Sequence, residues 1–214
     1  MLVYIAMEIL TKLFGNAAKV KLMRLFLFNP DSAYSSSEIA ERSKTSSKEV
    51  RKELAGLMNV GIVRKRAVVR EIHTKKKKKI VVRKVNDVGY FLDQKFPYLQ
   101  ALKNLLITVS LHADDSLVRK FNSVGRIKFF VASGLFIQEW DTRVDLLIAG
   151  DDLNLNKLDT VIKSIEAEVG KEITYSAFET ADFEYRYGIH DRLIRDILDF
   201  PHTTLVDKLG IDEK

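Results

Sequence analysis

Hydrophobic side chains recur at helical spacing through the first 28 residues of the chain. The recurring positions are Leu10, Leu13, Phe14, Val20, Leu22, Leu25, Phe26 and Phe28. A repeat of three to four residues is typical of amphipathic helices. We therefore predict one helix, or two helices broken near Gly15-Asn16. A stop is predicted at Asn29-Pro30-Asp31, because proline cannot continue a helix.

Residues 35 to 60 predict two short helices joined by a tight turn. Ser35 with Glu38, and Ser46 with Glu49, each match a capping box, in which paired side chains satisfy free backbone groups at a helix start. The second helix, about residues 46–59, has apolar residues on one side and basic residues on the remaining surface. These are Val50, Leu54, Leu57 and Met58 against Lys48, Arg51 and Lys52. Gly61 predicts the helix end.

Two β-rich segments follow, over Ile62–Ile72 and Ile80–Val85. We predict that they pair as a hairpin, about residues 62–85. The tip of this hairpin is a run of lysines: Lys75, Lys76, Lys77, Lys78 and Lys79. The aromatic-rich stretch Tyr90–Leu99 and a short helix after it predict a bridge over residues 89–109, because a flexible linker would be rich in glycine and serine.

The pattern changes after residue 110. Three short apolar runs, Ile127–Gly134, Val144–Gly150 and Glu172–Phe178, predict buried strands. Helical spacing over Leu155–Val169, and again over about residues 182–199, predicts helices that alternate with them. We therefore expect an N-terminal domain over residues 1–88 and an α/β domain over residues 110–214. The class expected for the whole chain is α+β.

Basic residues are concentrated in one part of the chain. From Lys44 to Lys84 there are 15 Lys or Arg residues against three acids, a local net charge of +12, whereas the whole chain carries +6. The rest of the chain is therefore net acidic. Such a concentration is the electrostatic footprint of a nucleic-acid-binding surface. The alternative is a solvated basic face that only keeps a hairpin soluble.

Composition limits the other classes of function. The chain of 214 residues has no cysteine, which excludes disulfides and thiolate metal sites. His73, His112, His190 and His202 do not have metal-ligand spacing, so we expect no metal and no cofactor. The start of the sequence lacks the basic leader of a signal peptide, and no apolar run reaches the roughly 18 to 20 residues of a membrane span. We expect a cytoplasmic protein.

Residues 35 to 84, taken in order, resemble the winged helix-turn-helix of transcriptional regulators. The resemblance implies that the second helix enters the major groove of duplex DNA, and that the hairpin, or wing, contacts phosphates. The residues assigned to DNA in this way are Ser46, Ser47, Lys48, Arg51, Lys52, Arg64, Arg66, Lys75, Lys76, Lys77, Lys78 and Lys79.

Residues 110 to 210 resemble the minimal nucleotidyltransferase fold of the polymerase-beta-like superfamily. The likeness rests on Ser133–Phe136, on Thr142–Ile148, and on Glu172–Phe178 followed by Asp182–Arg186. Active members hold magnesium with two aspartates spaced two residues apart, whose side chains share one face of a strand, and with a third carboxylate. The resemblance implies a nucleotide site between these segments.

This sequence departs from the family pattern at the metal ligands. Arg143 stands at the first aspartate position and cannot ligate a cation, and Thr174 falls near the third carboxylate. We therefore predict that nucleotidyl transfer is lost and that no catalytic residue remains. Asp145 is expected to bind Arg143 or a neighbouring backbone donor. We hypothesise that Ser133, Gly134, Arg143 and Asp145 form a vestigial nucleotide site that holds phosphate without metal.

The leading hypothesis is a DNA-binding transcriptional regulator whose C-terminal domain serves in sensing or assembly. Its expected partners are double-stranded DNA, a second copy of the chain and a nucleotide effector, but no membrane. Leu2, Val3, Ile5 and Met7 belong either to a homodimer contact or to the core. Two alternatives stay open: an active nucleotidyltransferase with a DNA- or RNA-binding accessory domain, and an interaction module whose hairpin binds an acidic partner or RNA.

Overall fold

The described part of the chain combines helices and strands in a mixed α+β arrangement, as predicted. The computed structural model describes residues 2–76, 79–108 and 115–211. The N-terminal elements are α1 (Leu2–Phe14), α2 (Ala17–Phe28), α3 (Ser36–Arg42), α4 (Ser47–Val60), β1 (Val63–Lys76) and β2 (Lys79–Leu92). The remaining elements are α5 (Leu99–Lys103), α6 (Asp115–Lys120), β3 (Arg126–Ala132), β4 (Leu146–Asp151), α7 (Leu155–Val169), β5 (Tyr175–Glu179), α8 (Thr180–Gly188), α9 (Arg192–Leu198) and β6 (Thr203–Asp207).

The predicted break near Gly15-Asn16 separates α1 from α2. Gly15 has a φ of 78°, which glycine adopts without strain, and the Asn16 side chain accepts a hydrogen bond from the Ala18 amide at 2.8 Å. Helix α2 then packs against α1, α4, α7 and β2. Because neighbours surround it, Val20, Leu22 and Phe26 are fully buried. Helix α2 is therefore the central element to which both halves of the chain attach.

The two predicted capped helices are α3 and α4. Both hydrogen bonds of the capping box between Ser35 and Glu38 are present, and the Ser46 hydroxyl accepts from the Glu49 amide at 3.3 Å. Helix α4 ends at Gly61, whose φ of 86° lies in the left-handed region that favours glycine. At Ser46 the capping box is only half formed, because the Glu49 carboxylate accepts from the Ser46 hydroxyl at 2.8 Å and not from the Ser46 amide. The predicted starts of both helices and the predicted end of α4 are confirmed.

The hairpin is longer than predicted. Strands β1 and β2 pair antiparallel from Val63 opposite Leu92 to Lys76 opposite Lys79. The second arm thus includes the beginning of the aromatic stretch, and the predicted boundary at residue 88 lies inside β2. Beyond that boundary β2 still pairs with the start of β1, and Tyr90 also exchanges backbone hydrogen bonds with Tyr34, at 2.8 and 2.9 Å. The bridge that follows is α5 and a π-helical turn over Asn104–Thr108.

The C-terminal half contains a four-stranded sheet in the order β5-β4-β3-β6. Strand β4 runs parallel to β5, whereas β3 is antiparallel to both of its neighbours. Two predictions need correction here. Strand β6 was not predicted, and the helix expected over residues 182–199 is divided into α8 and α9. The division falls at Ile189 and His190, where His190 has a φ of 57° that no helix residue adopts.

Alternation along β3 and β4 gives the sheet two apolar faces. One face belongs to a hydrophobic cluster that extends through α7 into the N-terminal half. The other face forms a second cluster with α8 and α9. The residues of β3 and β4 on the first face are Phe130, Ala132, Leu146 and Ile148; those on the second are Phe129, Val131, Leu147 and Ala149. The sheet is therefore covered by helices on both sides.

A buried arginine in α2 connects the two halves. Arg24 is 2% exposed; its Nε donates to the Leu106 carbonyl and its Nη1 to the Glu168 carbonyl, both at 2.9 Å. Burial lowers the pKa of Arg24 to about 10, although the Glu168 carboxylate opposes this shift. One guanidinium thus holds α2 to the bridge and to the C-terminal end of α7.

Gly170, which ends α7, brings the same two helices into backbone contact. A Cβ atom at this position would lie 2.5 Å from the Leu25 amide nitrogen and 2.6 Å from the Arg24 carbonyl carbon. The Gly170 carbonyl also accepts from Asn29 Nδ2 at 2.9 Å. This approach is possible only because glycine has no side chain.

Among the helices of the described residues, none is long and apolar enough to cross a membrane.

Candidate functional site

The exposed surface of α4 carries the basic residues predicted for DNA. Ser46, Ser47, Lys48, Arg51 and Lys52 are all exposed. Among the side chains that the structure describes, which do not include those of residues 70–84, no acidic group forms an ion pair with Lys48, Arg51 or Lys52. Their positive charge is therefore available to a ligand in solvent.

The opposite surface of α4 is fixed in the core. Val50, Leu54 and Leu57 are buried there, as the apolar spacing predicted. Glu53 is also buried: its carboxylate accepts from Asn16 Nδ2 at 3.1 Å and lies 3.5 Å from Lys19 Nζ. These contacts attach α4 to the start of α2. Sequence reasoning missed this role, because a glutamate among basic residues gives no sign that it faces inward.

Two further residues share the exposed surface of α4. Ala55 and Asn59 follow Arg51 at successive four-residue steps and are exposed. Residues four apart in a helix lie on one face, so these side chains continue the basic face towards the end of the helix. Asn59 carries a carboxamide, a hydrogen-bonding group that reads adenine in protein–DNA complexes. The spacing could have identified both residues in advance.

The two arginines predicted at the base of the wing have partners within the protein. Arg64 Nη2 lies 2.6 Å from an Asp93 carboxylate oxygen. The Arg66 guanidinium lies over the Phe91 ring, 5.0 Å from its centroid. Arg64 and Arg66 are two residues apart on β1, so they occupy one face of the hairpin, and Phe91 lies opposite Arg64 on that face. This face therefore offers less free charge to a ligand than the sequence suggested.

The lysine tip is described only in part. The backbones of Lys75, Lys76 and Lys79 lie at the paired ends of the two strands, whereas Lys77 and Lys78 lie outside the described residues. The contacts predicted for all five lysine side chains therefore stay predictions. The register alone places the run at the far end of the hairpin, remote from the Val63–Leu92 pair that is buried in the core.

Asp145, the remaining aspartate of the nucleotidyltransferase pattern, is occupied by backbone amides. One carboxylate oxygen accepts from the Leu135 amide at 2.8 Å and the other from the Thr174 amide at 2.9 Å. The Asp145 backbone also bonds Ser133 and Thr174, at 2.9 and 2.7 Å. The residue lies before β4 rather than within it. Of the two predicted partners, the backbone donor is the one observed.

The other residues predicted for a vestigial nucleotide site also have partners within the protein. Arg143 Nε lies 2.8 Å from the Asp196 carboxylate, not beside Asp145. Ser133 is buried, and its hydroxyl lies 3.4 Å from the Pro201 carbonyl. Gly134 has a φ of 51°, and a Cβ atom there would overlap the Asp145 carboxylate. The structure thus brings Ser133, Gly134 and Asp145 together as a packed turn and directs Arg143 towards α9.

Asp151, the last residue of β4, has a lowered pKa. The Thr180 hydroxyl donates to Asp151 at 2.6 Å, and this hydrogen bond lowers the pKa of Asp151, with Lys128 and Arg126 adding smaller effects in the same direction. The contact connects the end of β4 to the first residue of α8. Across the described ranges, no three His, Asp or Glu residues are placed to hold a metal ion.

Comparisons with known proteins do not identify a relative. No family model matches the chain, and neither a curated protein nor a solved structure matches it.

Proposed function

We propose that this protein binds duplex DNA through a winged helix-turn-helix formed by its N-terminal half and acts as a transcriptional regulator. Helix α4 would be the recognition helix and the β1–β2 hairpin the wing. The C-terminal half would be a nucleotidyltransferase-like domain that serves in sensing or assembly. We place the protein in the cytoplasm, because a chain without cysteine fits a reducing compartment.

The observation that carries the proposal is the exposed basic face of α4. Lys48, Arg51 and Lys52 have no acidic partner among the described side chains, while the opposite side of the helix is fixed by Leu54 and by buried Glu53. A rigid helix that presents unpaired cations is suited to the negatively charged major groove.

The proposal assigns no nucleotidyl transfer to the C-terminal half. Both oxygens of Asp145 accept backbone hydrogen bonds, and Arg143 forms an ion pair with Asp196. Binding a metal ion at Asp145 would require breaking the contacts to Leu135 and Thr174. The alternative, an active nucleotidyltransferase with an accessory nucleic-acid-binding domain, predicts magnesium-dependent incorporation of labelled nucleotide that Asp145→Asn abolishes.

Substitution of Arg51 tests the recognition helix directly. If Arg51 contacts a guanine edge in the selected operator, Arg51→Ala should weaken binding by about 1 to 3 kcal/mol. Arg119→Ala is the matched control, because Arg119 is also exposed on a helix and has no ion pair among the described residues. Equal affinities of the two variants for an operator selected from a random library would contradict the assignment of α4.

The wing makes a different prediction, because phosphate contacts do not depend on sequence. Replacing Lys75 to Lys79 by glutamine should weaken binding to all DNA sequences alike and should flatten the salt dependence. Full affinity of this variant would refute the wing assignment. Preference for RNA, or for any polyanion equally, would instead favour the interaction-module alternative.

A homodimer through α1 is part of the proposal. Of the four residues predicted for the contact, the side chains of Leu2, Val3 and Ile5 lie outside the described residues, and Met7 packs against the core. Ile9 and Leu13 lie four residues apart on α1 and are 57% and 65% exposed. Large apolar side chains at this spacing form one stripe, and such exposed stripes mark contact surfaces. Light scattering at micromolar concentration tests this directly: a monomer mass for the full chain would refute the dimer.

A further inference from the structure

A cleft of about 320 Å³ opens where the bridge meets α2 and the C-terminal half. Apolar side chains form most of its wall among the described residues. These are Leu27, Phe28, Pro30, Ile107 and Trp140. Its polar lining consists of Gln100, Lys103, Thr108 and Lys171. A concave site of this size, with apolar walls and a few polar groups, suits a small molecule.

Trp140 is the aromatic platform of this cleft. It is the only tryptophan of the chain and remains 58% exposed. The Phe28 ring, at the end of α2, meets it edge-on with centroids 6.2 Å apart. Gln138, which has a φ of 64°, donates to the Thr108 carbonyl at 2.6 Å and so fixes the Trp140 loop against the bridge. The platform is thus held in place while its ring stays open to solvent.

The charges that line the cleft are positive. Lys171 Nζ lies over the Trp140 ring, 4.8 Å from its centroid, and Lys103 lines the same cleft. Neither lysine has an acidic partner among the described side chains. Glu139 and Asp141, the acids adjacent to Trp140 in sequence, are exposed and are not part of the lining. The cleft therefore combines an aromatic surface with two unpaired cations.

We propose that this cleft binds a small molecule that has a planar ring and an anionic group. The ring would stack on Trp140, and the anionic group would bind Lys103 and Lys171. A nucleoside monophosphate and an aromatic carboxylate both have this chemistry. The site is distinct from Ser133, Gly134 and Asp145, whose polar groups are used within the protein.

The position of the cleft gives a bound ligand contact with both halves. Phe28 ends α2 in the N-terminal half, whereas Trp140 and Lys171 belong to the C-terminal half. A ligand that contacts all three would favour one arrangement of the halves over others. As an effector site of the regulator, the cleft rests on the proposed DNA-binding function; as a binding site, it does not.

Intrinsic fluorescence of Trp140 in the full chain tests the binding site without DNA. The probes are adenosine monophosphate and benzoate, and their neutral counterparts are adenosine and benzyl alcohol. We expect a saturable change in emission with at least one anion, at a Kd in about the millimolar range or tighter. The corresponding neutral compound should bind about tenfold more weakly or worse. The responses to the two anions distinguish a nucleotide from an aromatic acid.

Calorimetry on variants tests the assigned residues. Replacing both Lys103 and Lys171 by glutamine should weaken binding of the anion about tenfold or more, while Lys157→Gln, at an exposed lysine of α7 outside the cleft, should leave it unchanged. No saturable response to either anion would overturn the proposal. So would equal binding of the anion and its neutral counterpart, or an undiminished affinity in the double variant. Because DNA is absent, failure here leaves the DNA-binding proposal untouched.

Discussion

Replacement of Arg24 should show how strongly the two halves of the protein depend on one buried side chain. The guanidinium donates to Leu106 and Glu168 at 2.9 Å each and also contacts Met7 Sδ at 3.6 Å. Arg24→Ala removes these contacts and leaves an apolar void beside α7. We compare it with Arg24→Met, which keeps most of the volume, and with Arg24→Lys, which keeps the charge.

The expected changes in the free energy of unfolding follow from two opposing contributions. The lowered pKa of Arg24, about 10, corresponds to a cost of about 3 kcal/mol for keeping the buried group charged. Each hydrogen bond from a charged group contributes about 1.5 to 3 kcal/mol in return. Arg24→Ala loses both hydrogen bonds and the packing, so it should destabilise by about 3 to 5 kcal/mol. Arg24→Met removes the cost of the charge, as alanine does, but also keeps most of the packing, so its loss should not exceed about 2 kcal/mol.

Arg24→Lys should resemble the alanine variant rather than the methionine variant. A lysine keeps a buried charge, but a single ammonium group cannot reproduce the fork that reaches two carbonyls. Urea unfolding of the full chain, followed by circular dichroism, measures all three free energies of unfolding. Values within about 0.5 kcal/mol of the wild type for every variant would refute the reasoning. So would a methionine variant that is no more stable than the alanine variant.

Three further predictions test other parts of the structure. Asp145→Asn should lower the free energy of unfolding by about 3 kcal/mol, because the single oxygen of an asparagine amide cannot replace both carboxylate oxygens that accept from Leu135 and Thr174. An unchanged free energy of unfolding in urea would mean that the carboxylate is free for another role. Gly170→Ala should destabilise by more than about 1 kcal/mol, because a methyl group would meet the backbone of α2. A thermal midpoint equal to that of the wild type would contradict that contact. The pKa of Asp151 is lower in the folded than in the unfolded protein. The stability that this difference contributes is present above the unfolded pKa of about 4, and it is lost as pH falls through the lower folded pKa. Thr180→Val should therefore make the free energy of unfolding less pH-dependent below about pH 4. Identical acid-unfolding curves for the variant and the wild type would argue against the Thr180 hydrogen bond.

Local signals in the sequence were sufficient to predict the helices of the N-terminal half. The capping box at Ser35, the N-cap at Ser46 and the helix end at Gly61 depend only on neighbouring residues and were found as predicted, although the reciprocal bond from Glu49 is absent. The end of β2 was misplaced: its last residues still pair with the start of β1, and Tyr90 also bonds Tyr34, which is remote in sequence. A pairing of this kind leaves no local pattern.

The residues that connect the halves were not predicted for a related reason. Arg24 lies in a helix that is apolar on nearly every side, and such a helix is buried, but only the fold shows which carbonyls its guanidinium meets. The partner of Arg143 was likewise missed, because Asp196 lies on α9 and approaches only in the folded chain. Glu53 belongs to the same class, since its partners belong to the start of α2. The partners of these side chains are remote in sequence, so local patterns could not predict the contacts.

The most direct test of the central claim is the salt dependence of binding to nucleic acid. Fluorescence anisotropy of the full chain with random duplex DNA and a matched RNA duplex, between about 50 and 200 mM salt, gives both affinity and slope. If about five phosphates are contacted, the logarithm of affinity for DNA should fall with the logarithm of salt at a slope of about −4 to −5, and RNA should bind more weakly. Weak binding to both duplexes, or equal binding with a shallow slope, would contradict the assignment of α4 and the hairpin to DNA.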